Sequence, residues 1–122
     1  MQSICVISIN VTDMKEAIFF YCDILGFEIS KVYDDECIVG LKHEAVPVIL
    51  NKVDNVTAVD YPREAQVVLG IQTQDLKASI ADFQAKGIEV IFDTPQFCPP
   101  GTYSAIKDPF GNVIELLEFQ ET

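Results

Sequence analysis

Hydrophobic and polar residues alternate along the first half of the chain with the period of two that is typical of β-strands. Residues 4–11 show this alternation, and a helix is predicted to begin after Asp13, because Glu16 follows at the three-residue spacing of a capping box. Gly26 is placed to end that helix, since glycine tolerates the left-handed conformation of a C-terminal cap. Pro47 favours an edge position for the last strand of this half. Further strands are predicted at 27–32, 37–41 and 46–50.

The second half of the chain repeats this order of elements. The two halves superpose at an offset of 62 residues, which places Asp13 on Asp75, and one deletion in the second helix then brings Gly26 onto Gly87. A loop with three prolines is predicted at 94–101. A repeat of this length indicates two copies of one structural unit. The strands of this half are predicted at 68–73, 88–92, 103–107 and 113–119.

The repeat predicts an α+β fold, in which two β-α-β-β-β modules form one curved mixed sheet with a helix backing each half. A length of 122 residues suits a single domain. We expect the modules at 1–53 and 66–122, joined by a polar, irregular linker at 54–65. The bulky residues of the first helix are all expected in its core: Phe19, Phe20 and Tyr21.

Composition argues against several classes of partner. The chain has 8 Lys and Arg against 19 Asp and Glu, a net charge of −11 that disfavours nucleic acids and anionic membranes, because both carry negative charge. No apolar run reaches the roughly 20 residues that span a bilayer, and the N-terminus does not have the pattern of a signal peptide. The four cysteines are widely spaced and form no CxxC pair. These features predict a cytoplasmic protein with reduced thiols and without a nucleic-acid or membrane partner.

Three short motifs accompany the repeat: Val11-Thr-Asp-Met, Leu25-Gly-Phe and the closing Asp108-Pro-Phe-Gly-Asn-Val-Ile-Glu115-Leu. With the repeated β-α-β-β-β unit they resemble the vicinal oxygen chelate superfamily, which includes glyoxalase I, bleomycin-resistance proteins, fosfomycin-resistance proteins and extradiol dioxygenases. In metal-dependent members, the resemblance implies four ligand positions, which here are Val6, Leu50, Val68 and Glu115. Because only Glu115 has a donor atom, we expect no metal cofactor.

A few polar residues are predicted on the concave face of the sheet, where the resemblance implies that ligands bind. Strand alternation separates them from the Ile- and Leu-rich faces that the helices must cover, and scattered polar groups in an apolar cavity suit a small-molecule site. The resemblance implies that the loop Phe97-Cys98-Pro-Pro-Gly is a lid over this cavity. Phe97 and Tyr103 are expected to stack on a flat ligand. The alternative is that these groups only bond one another or pack the loop. The predicted ligand-binding residues are Ser8, Asn10, Leu50, Gln72, Phe97, Cys98, Tyr103 and Glu115.

Three functions remain open from the sequence. The first is a metal-independent small-molecule-binding protein that resembles the bleomycin-resistance proteins, an acidic homodimer whose ligand is cationic or aromatic. The second is a glyoxalase-like lyase or isomerase, or a dioxygenase, with a degenerate metal site and Glu115 as its catalytic acid or base. The third is an interaction module without chemistry. We prefer the first, because the net charge is strongly negative and three of the four metal-ligand positions, Val6, Leu50 and Val68, lack donor atoms.

Overall fold

The computed structural model describes residues 2–120. The chain divides into two compact units, which we call the first module (up to Thr57) and the second module (from Ala58). Each module forms one four-stranded mixed sheet with its own helix. The predicted α+β fold of two β-α-β-β-β modules is therefore confirmed. No helix within residues 2–120 is long and apolar enough to cross a bilayer.

The first module has the strand order β1-β4-β3-β2, in which β1 runs parallel to β4 and the other neighbours are antiparallel. The edge position predicted for the strand after Pro47 is wrong, because β4 lies between β1 and β3. Pro47 is tolerated because it precedes the strand, and its carbonyl accepts a hydrogen bond from Ile7 N at 3.0 Å. The elements are β1 Ile7–Val11, α1 Met14–Ile18, a π-helix Phe19–Ile24, β2 Ile29–Tyr33, a 3-10 turn Asp34–Glu36, β3 Ile38–Leu41 and β4 Val48–Lys52.

The second module has the matching strand order β5-β8-β7-β6, with β5 parallel to β8. Asp108 lies in the turn between β7 and β8, where its Oδ1 accepts hydrogen bonds from Phe110 N at 2.9 Å and Asn112 N at 2.8 Å. Gly111 has a φ of +88° in this turn, as the sequence predicts for that position. The elements are β5 Leu69–Gln72, α2 Leu76–Ala85, β6 Gln96–Cys98, β7 Gly101–Lys107 and β8 Val113–Phe119.

The outer strand of the second module differs from the prediction. Instead of a strand at 88–92 there is a single bridge from Val90 to Ile106, and β6 lies within the predicted loop at 94–101. If the register of β6 on β7 continued back along the chain, Val90 would lie opposite Pro109. Val90 lies opposite Ile106 instead, so the register slips by three residues between the bridge and β6. Residues 93–95 take up this slip, and they include a proline that cannot donate to the ladder.

Both helices begin as their sequences predict. The Asp13 carboxylate accepts from Glu16 N at 3.0 Å, and the Asp75 carboxylate accepts from Ala78 N at 3.1 Å. Each chain reversal after a helix contains a glycine at positive φ, Gly26 in the first module and Gly87 in the second. The capping predictions are therefore confirmed in both copies of the repeat.

The core expected for the first helix is correct at two of its three aromatic positions. Phe20 and Tyr21 are buried, with ring centroids 5.0 Å apart in an edge-to-face arrangement, but Phe19 is 56% exposed. Three consecutive helical residues span an arc of roughly 200°, since each residue turns the helix by about 100°. All three side chains therefore cannot point to one core, and Phe19 is the one left outside.

Candidate functional site

One face of the second module's sheet brings together several of the predicted ligand-binding residues. In the parallel pair β5–β8, Gly70 lies opposite Glu115 and Gln72 lies opposite Leu117. Tyr103 of β7 also lies opposite Leu117. Because paired residues on neighbouring strands point to the same side of a sheet, Gln72, Tyr103 and Glu115 share a surface, which we call the Glu115 face.

The reverse side of this sheet forms the core of the second module. α2 contacts both β7 and β8, and the side chains that alternate with those of the Glu115 face are buried against it. This alternation leaves the charged carboxylate of Glu115, which is half-buried, on the side without the helix. The buried residues of this side include Ile80, Ile106, Ile114 and Leu116.

Tyr61 is the hydrogen-bond partner of Glu115. Its hydroxyl donates to Oε2 of the carboxylate in a short contact. Burial raises the pKa of the Tyr61 phenol above its ordinary value, and the hydrogen bond to Glu115, the charge of Glu115 and Tyr103 raise it further. The phenol therefore stays protonated at neutral pH and keeps its role as donor.

A short turn holds Tyr61 in this position. Asp60 N donates to Oε1 of Glu64 at 2.7 Å, and Glu64 N donates back to the Asp60 carbonyl, also at 2.7 Å. Arg63 adds an exposed ion pair to Asp60 at 3.4 Å. Residues 60–64 thus close a turn on themselves and present the Tyr61 side chain toward β8.

Aromatic rings continue from Tyr61 along the same region. The ring centroids of Tyr61 and Phe92 are 6.4 Å apart at an interplanar angle of 65°, and those of Phe92 and Tyr103 are 5.6 Å apart at 82°. Such edge-to-face contacts are favourable pair geometries. Ser104, which is fully buried, donates to the Phe92 carbonyl at 2.6 Å and ties this segment to β7. The result is a row of three rings, Tyr61-Phe92-Tyr103, ending on a hydrogen-bonded carboxylate.

Of the two predicted lid residues, one lies on the Glu115 face and one does not. Cys98 pairs with Gly101 of β7. Gly101 and Tyr103 are two positions apart on that strand, so Cys98 lies on the same side of the sheet as Tyr103. Phe97 pairs with Thr102 and therefore points to the opposite side of the sheet, where it is 80% exposed. The placement expected for Phe97 is wrong, because the loop expected there is a strand and strand alternation turns neighbouring side chains to opposite faces, and its role in ligand binding stays a prediction.

In the first module, Ser8 and Asn10 are exposed on the face of β1 that alternates with buried Ile9. The prediction for Leu50 is wrong. It pairs with Ile9 and is fully buried on the helix side, because the strand register differs by one residue from the expected one. Its neighbour Asn51 lies opposite Asn10 instead, and Asn51 Nδ2 donates to Oδ1 of Asn10 at 3.3 Å.

A model of the Glyoxalase/Bleomycin resistance protein/Dioxygenase superfamily matches residues 3–116. The chain belongs to this superfamily. None of the curated protein sequences compared with the chain matches it.

Solved structures of superfamily type share the fold over nearly the whole chain. TnmS3, described as an antibiotic-binding protein from Streptomyces sp. CB03234, is 24% identical over 98% of both chains, with a TM-score of 0.74. A glyoxalase/bleomycin resistance protein from the same source is 26% identical, over 97% of this chain and 100% of its own, with a TM-score of 0.65. The glyoxalase family protein from Enterococcus faecalis is 22% identical over 94% and 96%, with a TM-score of 0.75.

The metal site that the superfamily resemblance implies does not fit the residues at these positions. Val6 and Val68 have no donor atoms, Leu50 is buried in the core, and Oε2 of Glu115 already accepts from Tyr61. Within residues 2–120, no three side chains of His, Cys, Asp or Glu are grouped closely enough to hold an ion. A divalent metal needs several such ligands. Independence from metal stays a prediction.

Sequence reasoning missed Tyr61, Phe92 and Asn51. Tyr61 lies in the stretch predicted as a linker, and its only local signal is an aromatic residue in an otherwise polar segment. Phe92 was expected at the end of a strand, with no role assigned. The place of Asn51 opposite Asn10 depends on the register of β4, and an error of one residue in that register selects Leu50 instead.

Proposed function

We propose that this chain is a metal-independent small-molecule-binding protein, similar in function to bleomycin-resistance proteins, whose ligand lies on the Glu115 face. The observation that carries the proposal is the half-buried carboxylate of Glu115 at the end of the row Tyr61-Phe92-Tyr103. A carboxylate gives orientation and charge selectivity, and aromatic rings give apolar contact area, which is the composition typical of ligand sites.

The chemistry of this face favours a cationic ligand with a flat apolar body. A carboxylate forms charge-assisted hydrogen bonds with protonated amines, and these are stronger than neutral ones. The rings of tyrosine and phenylalanine attract cations at their faces. The net charge of −11 also attracts cations from a distance, at low ionic strength most of all.

Membership of the superfamily and the comparison with TnmS3 support small-molecule binding in a coarser way. TnmS3 is described as antibiotic-binding and has the same fold over 98% of both chains. One fold hosts many functions, so the class of ligand is argued from Glu115 and the rings, not from this likeness.

A thermal-shift screen tests whether the protein binds cationic aromatic compounds in preference to neutral ones. Cationic aromatic compounds and their neutral analogues of equal size are compared, because a ligand of the native state stabilises it by about 2.7 kcal/mol at a concentration of one hundred times Kd. We expect stabilisation by cationic compounds that is absent or weaker with the neutral analogues. Equal shifts with both sets would contradict a role for charge.

Glu115→Gln tests the residue that carries the proposal. The change keeps the shape and an acceptor for Tyr61 but removes the charge, so we expect affinity for a cationic ligand to fall roughly tenfold or more, by calorimetric titration. Glu89→Gln is the matched control, because Glu89 is exposed in the same module and makes only a surface ion pair with Lys107 at 3.5 Å. Equal affinities of the two variants would place the site elsewhere.

Added metal separates this function from the glyoxalase-like or dioxygenase alternative. We expect ligand affinity to be the same after treatment with a chelator and after addition of Ni²⁺, Zn²⁺, Fe²⁺ or Mn²⁺. Turnover that appears only with one of these ions would favour the enzyme and would show that the donor positions are misassigned.

We further propose that the protein is a homodimer, as the superfamily resemblance implies. All five residues of the outer strand β2 are exposed, and an exposed strand edge favours pairing with another chain. Sedimentation at micromolar concentration should give about twice the chain mass of 13.6 kDa, and a monomer alone would contradict the dimer.

A further inference from the structure

The two oxygens of the Glu115 carboxylate have different surroundings. Oε2 accepts the hydrogen bond from Tyr61. Oε1 has no hydrogen-bond partner among residues 2–120, and no side-chain oxygen in this part of the chain is both buried and without a partner. Oε1 is therefore at least partly exposed, and it is the oxygen of this carboxylate that accepts no hydrogen bond from the described residues.

We propose that Tyr61 is a specificity-determining residue: its hydroxyl occupies an acceptor site of Oε2 and so favours ligands with one ammonium group, which bond Oε1 alone, over ligands with a forked amidinium or guanidinium group, which need both oxygens. The inference rests on the proposed function, because it assumes that a cation binds at Glu115. It adds the class of cation and the residue that chooses it.

The geometry of the two cation types explains the selection. An amidinium or guanidinium group presents two parallel N–H donors in a rigid plane and binds a carboxylate best when it reaches both oxygens. An ammonium group is a compact donor that bonds a single oxygen and tolerates many directions. Because Oε2 already accepts from the Tyr61 hydroxyl, a forked cation must share this oxygen with the phenol, which weakens one of its two hydrogen bonds, whereas an ammonium group at Oε1 shares nothing.

Displacing Tyr61 is opposed by three separate contacts. Its hydroxyl bonds Glu115, its ring packs edge-to-face against Phe92, and its backbone lies in the turn that Asp60 and Glu64 close at 2.7 Å. The raised pKa of the phenol keeps the proton on Tyr61 and the donor in place at neutral pH. A forked cation must share or displace the hydroxyl contact at Oε2, while an ammonium ion at Oε1 leaves all three contacts intact.

A pair of small cations tests this selection directly. Benzylammonium and benzamidinium share a phenyl ring and a single positive charge at pH 7, but the first has its N–H donors on one nitrogen and the second has them on two nitrogens in a planar fork. Dissociation constants of both are measured by NMR titration on the wild-type protein, on Tyr61→Phe and on Glu115→Gln. Tyr61→Phe keeps the ring against Phe92 and frees Oε2. Tyr33→Phe is the matched control, since exposed Tyr33 lies in the first module.

We expect the wild-type protein and Tyr33→Phe to bind benzylammonium more tightly than benzamidinium. In Tyr61→Phe the ratio of the two dissociation constants should move by up to roughly tenfold toward benzamidinium, because the phenol no longer competes for Oε2. An unchanged ratio, with binding of both cations still weakened by Glu115→Gln, overturns the role of Tyr61 and leaves the proposed function standing. Binding that is absent, or that Glu115→Gln does not weaken, overturns the proposed function and this inference together.

Discussion

The two modules share one framework but present different surfaces on the side away from the helix. In the first module Ser8 of β1 lies opposite Ile49 of β4, and at the matching place in the second module Gly70 lies opposite Glu115. An apolar residue in one copy thus corresponds to the candidate ligand-binding carboxylate in the other. The nearby polar group of the first module, Asn51, is bonded to another side chain of its own module.

On the side that faces the helix, in contrast, the two sheets have the same kind of residues at matching positions. Leu50 lies opposite Ile9 in the first module, as Leu116 lies opposite Ile71 in the second, and both leucines are buried. Burial against a helix restricts these positions to apolar side chains of suitable size. The comparison teaches that the packed side of the repeat is conserved between the modules while the open side has diverged, so chemistry is to be sought where the two differ.

The helices of the two modules differ by one residue. The glycine at positive φ follows the N-cap residue by thirteen positions in the first module, Asp13 to Gly26, and by twelve in the second, Asp75 to Gly87. α2 is regular, whereas α1 passes into the π-helix Phe19–Ile24. A π-turn accommodates one extra residue without breaking the helix. The deletion visible in the sequence alignment of the halves therefore corresponds to the π-helix.

The largest expected effect tests the equivalence of Leu50 and Leu116. Leu50→Ala and Leu116→Ala should each lower the free energy of unfolding by about 2–5 kcal/mol, because each leaves a cavity in a packed core. Denaturant titration of the two variants measures this. Ile49→Ala is the control on the open side and should cost under about 2 kcal/mol. A smaller loss of unfolding free energy for Leu50→Ala than for Ile49→Ala would contradict the burial of Leu50 on the helix side of the sheet.

A smaller effect is expected at the helix N-termini. Asp13→Ala and Asp75→Ala should each cost about 1 kcal/mol of stability, because each removes the side-chain acceptor of one backbone N–H. Asp13→Asn and Asp75→Asn keep an acceptor and should remain near the wild type in the same denaturation experiment. A clear difference between the two alanine variants would show that the π-helix changes the capping energetics of its module.

The smallest effect concerns Tyr61 at alkaline pH. Its pKa is raised in the folded protein, so the stabilisation from its proton is complete below the unfolded value of about 10 and is lost as pH rises from there toward the folded pKa. The stability difference between wild type and Tyr61→Phe should therefore be constant at lower pH and decline above about pH 10. A stability difference that shows no decline above about pH 10 would contradict this role of Tyr61.

The repeat, both helix caps and the β-α-β-β-β order of elements along each module follow from the sequence, because they depend on local spacing and on alternation, whereas the central place of β4 in its sheet does not. The Asp13 and Asp75 caps are local hydrogen bonds between residues three apart, and the face shared by Gln72, Tyr103 and Glu115 follows from the period of two. Such features need no knowledge of distant contacts.

The remaining features depend on contacts that the sequence does not show. Leu50 was misplaced because a register error of one residue reverses a side chain. β6 was missed because the slip at 93–95 is decided by pairing with β7. Tyr61 meets Glu115 across 54 positions of the chain, and no local pattern announces that contact.

The location of the ligand on the Glu115 face is tested most directly by mapping amide chemical shifts during an NMR titration with benzylammonium. We predict that the largest changes occur at Tyr61, Phe92, Tyr103 and Glu115, and that the changes at Asn51 of the first module are small. Changes centred on Asn51 with Glu115 unmoved would contradict a site on the second module and would make its carboxylate a structural residue.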